Sequence, residues 1–237
     1  MGYLNYLTSL VLLLFVDLNA GLARAEGLFE VQAFEASYEV YRKDKLTGKL
    51  NSQLKQIGPN TFQLTDVTKG TSGLASMLNF ERTEITTFTY NQKQPEVISH
   101  SQKQQVAFRS RTFEFNHTPG TETYQGIYKN KPFSVNSPKN LLSSHLVPWQ
   151  LAQQVCHQQN TFSLHLLKSN SPRTYDFKAR AFDNNKTMIE RLYPDSQNRR
   201  TATWVNHDKG CYVSEIKHYD NNEYIRTVLT DIAFVEQ

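Results

Sequence analysis

Apolar and polar residues trade places at every second position through most of this chain, and that two-residue period constrains the fold more than any other feature. Phe34, Ala36, Tyr38 and Val40 fall on one side, Glu35, Ser37 and Glu39 on the other. Successive side chains of an extended strand point to opposite faces, so the pattern describes a strand with one buried and one wet side. Thr47-Gly48 predicts a turn, after which Leu50, Ser52 and Leu54 resume the alternation. Gly58-Pro59-Asn60 predicts a second turn before Phe62, Leu64, Asp66 and Thr68. Residues 34–69 therefore read as a three-stranded antiparallel meander. Further alternating runs cover 82–90, 97–115 and 121–128. The clearest sets Tyr175, Phe177, Ala179 and Ala181 against Asp176, Lys178 and Arg180. Strands around 201–206, 212–219 and 223–234 close the chain, with Asn221-Asn222 as a tight hairpin turn.

Two segments break the rhythm. Ser72 to Leu78 reads as a short helix or compact loop with an apolar face. From Asn140 to Gln158, apolar positions fall at three- and four-residue spacings: Leu141, Leu142, Leu146, Trp149, Ala152 and Val155, with His145 among them. This predicts one substantial helix, about 140–158, which Pro148 would kink or split. The expected fold class is all-β: a curved antiparallel sheet or open barrel-like meander of about ten strands, wrapped around or plugged by that helix.

The N-terminus carries an address. Leu10 to Val16 is an uninterrupted apolar run of seven residues, ended by Asp17. A bilayer span needs roughly 20 apolar residues, so the run suits a signal peptide and not an anchor. Ala23-Arg24-Ala25 places small residues at −3 and −1 of a cleavage site. Residues 1–25 are expected to be a cleavable signal peptide and 26–237 a single β-rich domain, exported to the periplasm or secreted. The domain's 237 − 25 = 212 residues suffice to bury roughly 70% of the unfolded surface around one core. No low-complexity tract or linker divides it.

Charge and cysteine content narrow the function classes. The formal net charge is +4. Arg109-Ser110-Arg111 and Asn198-Arg199-Arg200 are too short for a nucleic-acid footprint and suit solvated edges or turns. The two cysteines, Cys156 and Cys211, would close one disulfide in an oxidising compartment or stand as two separate thiols.

No motif fixes a reaction or a cofactor. Gly70-Thr71-Ser72-Gly73 lacks the spacing of a nucleophile elbow. His207-Asp208 falls in a hairpin turn, where exposed polar pairs are expected. No His-Glu-x-x-His or Cys-x-x-Cys metal spacing occurs. Glu81 and Glu84 are paired carboxylates in name, but they sit on a charged strand and can face opposite sides.

The order of elements resembles a bacterial exported family, domain of unknown function 3108 (DUF3108). Phe34-Glu35-Ala36-Ser37-Tyr38-Glu39-Val40 is similar to that family's first strand. Gly73-Leu74-Ala75 and Glu84-Ile85-Thr86-Thr87-Phe88 resemble its Gly-Leu-Ala element and the strand after it. Phe113-Glu114-Phe115, Asn140 to Ser143 and Thr203-Trp204-Val205 fall where the family carries Phe-Asp-Trp, Asp-x-Leu-Ser and a tryptophan strand. The resemblance implies an exported β-rich domain and brings no established activity.

Two function classes follow. The first is a non-enzymatic binding or assembly module of the cell envelope, with a concave aromatic face for a lipidic or amphipathic ligand. Phe34, Tyr38, Trp149, Tyr175, Phe177 and Trp204 are the candidates for its lining; the alternative for all six is plain core packing. The second is a cell-envelope hydrolase whose site is assembled from distant residues. Docking on an envelope complex through a strand edge is a third reading.

Overall fold

The alternation folds as its period dictates. The computed structural model describes residues 31–91, 94–194, 198–208 and 210–235, and residues 32–237 form one compact unit. The expected signal peptide lies outside the described residues. The first eight strands are β1 (Ala33–Arg42), β2 (Lys45–Gly58), β3 (Thr61–Gly70), β4 (Glu81–Asn91), β5 (Gln94–Val106), β6 (Arg109–His117), β7 (Thr123–Tyr128) and β8 (Lys131–Asn136). A short helix, α1 (Gly73–Met77), interrupts them. A crossover follows, made of β9 (Leu142–Ser143), a 3-10 turn (Ser144–Leu146) and helix α2 (Val147–Cys156). The chain ends with β10 (Thr161–Lys168), β11 (Ser171–Asp183), β12 (Lys186–Leu192), β13 (Arg199–Asn206), β14 (Tyr212–Asp220) and β15 (Glu223–Val235).

These fifteen strands form one sheet in the order β8-β7-β6-β5-β4-β3-β2-β1-β15-β14-β13-β12-β11-β10-β9. Every pairing is antiparallel except β9 with β10. The first and last long strands meet at the centre, so the chain fans outward in two arms from a β1–β15 seam. The sheet then curls. β9, at one end of the order, lies against β5 in the opposite arm, and the Asn140 side-chain Nδ2 donates to the Pro95 carbonyl at 2.6 Å.

Four expectations are corrected. The sheet has fifteen strands, not about ten. Residues 97–115 are two strands joined through Ala107 and Phe108, a turn that contains no glycine, proline or asparagine to announce it. The first hairpin turns at Lys43 and Asp44, whose φ values of 50° and 60° match the two left-handed residues of a type I′ turn. Thr47 and Gly48 lie inside β2 instead. Gly48 is needed there because a Cβ would stand 2.6 Å from the Lys69 carbonyl oxygen.

The helix is also shorter than the predicted 140–158. Leu142 and Ser143 are extended and pair with Leu166 and Leu167. The Ser143 hydroxyl then accepts from the Leu146 amide at 3.2 Å, capping the turn that leads into α2. Pro148 occupies the first turn of α2, where no helical N–H is required of it, so it causes no kink.

The core lies on the concave face. Leu54, Phe62, Leu64, Phe88, Val97 and Phe115 are buried from one arm, Leu164, Leu166, Ile189 and Val205 from the other. Helix α2 packs on β13 and β14. Its Trp149 reaches across to Phe88 and Tyr90 on β4, with ring centroids 5.1 and 5.3 Å away. One helix thus bridges both arms.

Candidate functional site

The inner face of the sheet carries three adjoining features. The first is a cavity of about 70 Å³ beneath α2. Phe34, Tyr38, Leu50, Leu64 and Trp149 supply much of its apolar wall, and Asp66 and His145 its principal polar groups. A void of about 150 Å³ accommodates benzene, so this space holds a few water molecules and is too small for an acyl chain while α2 is seated. The Tyr38 hydroxyl donates to the Val213 carbonyl at 3.2 Å, and burial pushes its ionisation well above the ordinary phenol value.

The second is a buried polar cluster centred on Thr86. Its hydroxyl lies 2.9 Å from His100 Nδ1, 2.8 Å from His145 Nδ1 and 3.0 Å from Ser143 Oγ. His145 Nε2 in turn faces Asp66 Oδ2 at 3.4 Å. Thr86 and Ser143 are wholly buried, and His100 and His145 nearly so.

Proton counting makes the arrangement explicit. A hydroxyl has one proton to give and two lone pairs to receive. Ser143 Oγ accepts from Leu146 and shares one further hydrogen bond with Thr86 in which either hydroxyl can donate. Thr86 has one proton for three neighbours, so at least one imidazole Nδ1 must donate to it. The carboxylate of Asp66 favours the His145 tautomer with its proton on Nε2. His145 Nδ1 then accepts from Thr86, and His100 Nδ1–H donates. All three capacities of Thr86 are used. Burial holds His100 neutral, with its pKa lowered to about 3, and the neighbouring His145 and Arg82 act in the same direction.

The strand register explains how the cluster is assembled. Thr86 and His100 are direct cross-strand partners. A bulge between Thr87 and Phe88 on this pair leaves Ile98 unmatched. Val97 and His100, three residues apart, consequently both face inward.

The third feature is a basic mouth of about 450 Å³. Arg82, two residues before Glu84 and four before Thr86, shares their face of β4. Gln102 and Gln104 continue the face of His100, and Arg111 that of Phe113. Lys129 and Lys168 complete the positive lining. Arg82 pairs with the buried Glu84 at 2.6 Å. Among the described residues, Arg111, Lys129 and Lys168 have no carboxylate within 4.0 Å. The Tyr128 phenol at this mouth sits below its ordinary pKa, first through Ser169 and then through the charge of Lys129 and Arg111.

Of the six aromatic residues expected in a lining, Phe34, Tyr38 and Trp149 meet around the cavity. The other three do not line it. Phe177 is buried against Phe162, ring centroids 5.6 Å apart. Tyr175 carries the Arg191 guanidinium over its ring at 3.2 Å. Trp204 lies on the opposite face of β13 from the buried Thr203 and Val205, beneath Lys217 at 4.7 Å. Cys156 and Cys211 form a disulfide with Cα atoms 6.3 Å apart, which ties the last residue of α2 to the start of β14.

Sequence reasoning missed Asp66, Thr86, His100 and Ser143 as a group. The available signal was His145, a histidine on the apolar stripe of a predicted helix, which needs a buried partner.

The fold defines an all-β, barrel-like domain with a helix held in its concavity. The sequence matches no family model and no curated protein. Among solved structures, it is similar to a beta-barrel-like protein of domain of unknown function DUF1849 from Brucella abortus. The TM-score is 0.54 and the identity 9%, over 88% of this chain and 100% of that one. That likeness concerns the fold alone.

Proposed function

We propose that this protein is an exported, non-enzymatic binding module of the cell envelope that takes an anionic amphiphile, and that it belongs with the 3108 family it resembles. The basic mouth carries this reading. Its volume falls in the ordinary range of ligand sites, and among the described residues three of its cations have no carboxylate within 4.0 Å. A carboxylate or phosphate head group would neutralise Arg111, Lys129 and Lys168 there. The apolar lining beneath α2 would receive the chain end if the helix withdraws.

The chain Asp66–His145–Thr86 has the carboxylate–imidazole–hydroxyl order of a hydrolytic triad. Yet Thr86 and Ser143 have no exposed surface, so no carbonyl carbon can approach either oxygen. Their burial supports a structural role and the non-enzymatic reading.

Native mass spectrometry of the full chain purified from cells, followed by titration with a monomeric fluorescent fatty acid, tests the proposal. A one-to-one adduct is expected, with at least tenfold weaker binding in the double variant Arg111→Glu/Lys168→Glu. A chain that binds no fatty acid, or a double variant that binds it equally well, would overturn the proposal.

A further inference from the structure

The disulfide has a third neighbour that the binding role does not use. His207 Nδ1 lies 3.7 Å from Cys156 Sγ and 3.9 Å from Cys211 Sγ. The three donor atoms converge within 4.8 Å of one another. We propose that Cys156, Cys211 and His207 form a redox-gated zinc site, closed while the cysteines are bonded and opened by thiol–disulfide exchange.

The geometry matches the ion. With Zn–S near ~2.3 Å and Zn–N near ~2.0 Å, tetrahedral coordination places sulfur and nitrogen about 3.6 Å apart. The observed 3.7 and 3.9 Å are close to that edge. Only the sulfurs must part, from a bonded ~2 Å to about 3.8 Å. Two thiolates and an imidazole are the donors that zinc prefers. They leave a fourth corner for water or an outside ligand.

The imidazole is already oriented for the task. His207 Nε2 lies 2.9 Å from Thr187 Oγ1, and a proton shared on that side leaves the Nδ1 lone pair aimed at the sulfurs. Such an outer partner is the usual means of fixing a ligating histidine. The His207 backbone is held as well, its amide donating to the Asn185 carbonyl at 2.9 Å. The His207 side chain is exposed and Cys211 half-buried, so an ion can reach the site from solvent.

The chemistry balances. A dithiol donor gives two electrons and two protons to the disulfide, producing two cysteine thiols and its own disulfide. Zinc then displaces the two thiol protons as it binds. In the oxidised chain neither sulfur carries a charge, and the site has no affinity.

Cobalt(II), which reports tetrahedral thiolate coordination by its visible and charge-transfer absorption, provides the test. The full chain is reduced with a phosphine, freed of reductant without oxygen, and titrated with Co²⁺ and then Zn²⁺. The expected result is a saturable tetrahedral thiolate spectrum at one equivalent, release of about two protons per ion, and displacement by Zn²⁺. The oxidised chain should give none of these. His207→Ala should weaken binding at least tenfold, and Thr187→Val by about tenfold, with circular dichroism confirming that each variant keeps its fold. No thiolate spectrum from the folded, reduced chain would overturn the proposal. So would undiminished affinity in His207→Ala.

Discussion

Replacing Thr86 with valine tests whether the buried cluster stabilises this fold. The two side chains have nearly the same shape, so Thr86→Val removes the hydroxyl without opening a cavity. It strips a partner from His100 Nδ1, His145 Nδ1 and Ser143 Oγ at once. A buried polar group left unpaired costs about 1–3 kcal/mol. Ser143 keeps its bond from Leu146, so the two imidazoles carry most of the loss. The expected destabilisation is about 3–5 kcal/mol, large beside the 0.5 kcal/mol or so of an ordinary surface change. A control of identical chemistry stands three residues further along β4. Thr89 Oγ1 is buried and, among the described residues, has no hydrogen-bond partner, so Thr89→Val relieves a desolvation cost and should be neutral or stabilising. Urea unfolding followed by circular dichroism gives both numbers, and an unchanged m-value shows that the folded and unfolded ensembles are comparable. A loss below about 1 kcal/mol in Thr86→Val, or equal shifts in the two variants, would refute the reasoning.

Acid should destabilise the fold before its carboxylates titrate. His100 is held at about 3 when folded and returns to about 6.5 when unfolded, so the unfolded chain binds the extra proton between those values. Stability should rise with pH across that window, by up to about 1.4 kcal/mol per pH unit from this group alone. Burial lowers His165 and His218 in the same direction. Unfolding free energy that is flat between pH 4 and pH 6 (roughly the middle of that window) would contradict the buried neutral imidazole. Removing the disulfide with Cys156→Ser/Cys211→Ser frees a loop spanning 55 positions. It should cost about 4 kcal/mol, measured as a lower urea midpoint, and an unshifted midpoint would show that α2 is held without it.

The sheet was legible in the sequence because its physics is local. A two-residue period needs no knowledge of partners, and the hairpins at Pro59–Asn60 and Asn221–Asn222 announce themselves by Asn60 and Asn221, which adopt positive φ, and by a proline whose φ is preset for a turn. The helix was overextended for an equally physical reason. Leu141 and Leu142 are buried, and a pair of leucines ahead of a helical stripe fits either an extra turn or a short parallel strand. Only the partner, β10, decides between them. The polar cluster was illegible because a bulge at Ile98 reverses the phase of β5. Strict alternation from Val97 would turn His100 outward. Its partners are also 14 to 59 positions apart in the chain, a juxtaposition that no local pattern encodes. The aromatic lining failed at Trp204 for a related reason. Aromatic residues suit both faces of a sheet when a cation such as Lys217 covers the outer one.

The position of α2 explains why a polar cluster occupies the core at all. The crossover joins the two outermost parts of the sheet order, and apolar packing alone would hold it without fixing its register, because such packing has no direction. The two ends of the crossover are pinned by different means. Ser143 and His145 bind Thr86 on β4, whereas the disulfide binds Cys156 to the start of β14. In the sheet order, β4 and β14 lie on opposite sides of the β1–β15 seam. A helix fastened to both spans the concavity and opposes flattening of the curl. With the Asp66 carboxylate setting the His145 tautomer, the Thr86 hydroxyl has one arrangement of donors and acceptors toward its three neighbours, so a slip of the crossover by one residue would orphan several buried groups together. Directionality is what the cluster adds to a core that is largely apolar. The small size of the cavity beneath Trp149 follows from it, since a plug fixed at both ends cannot tilt away while both fastenings hold.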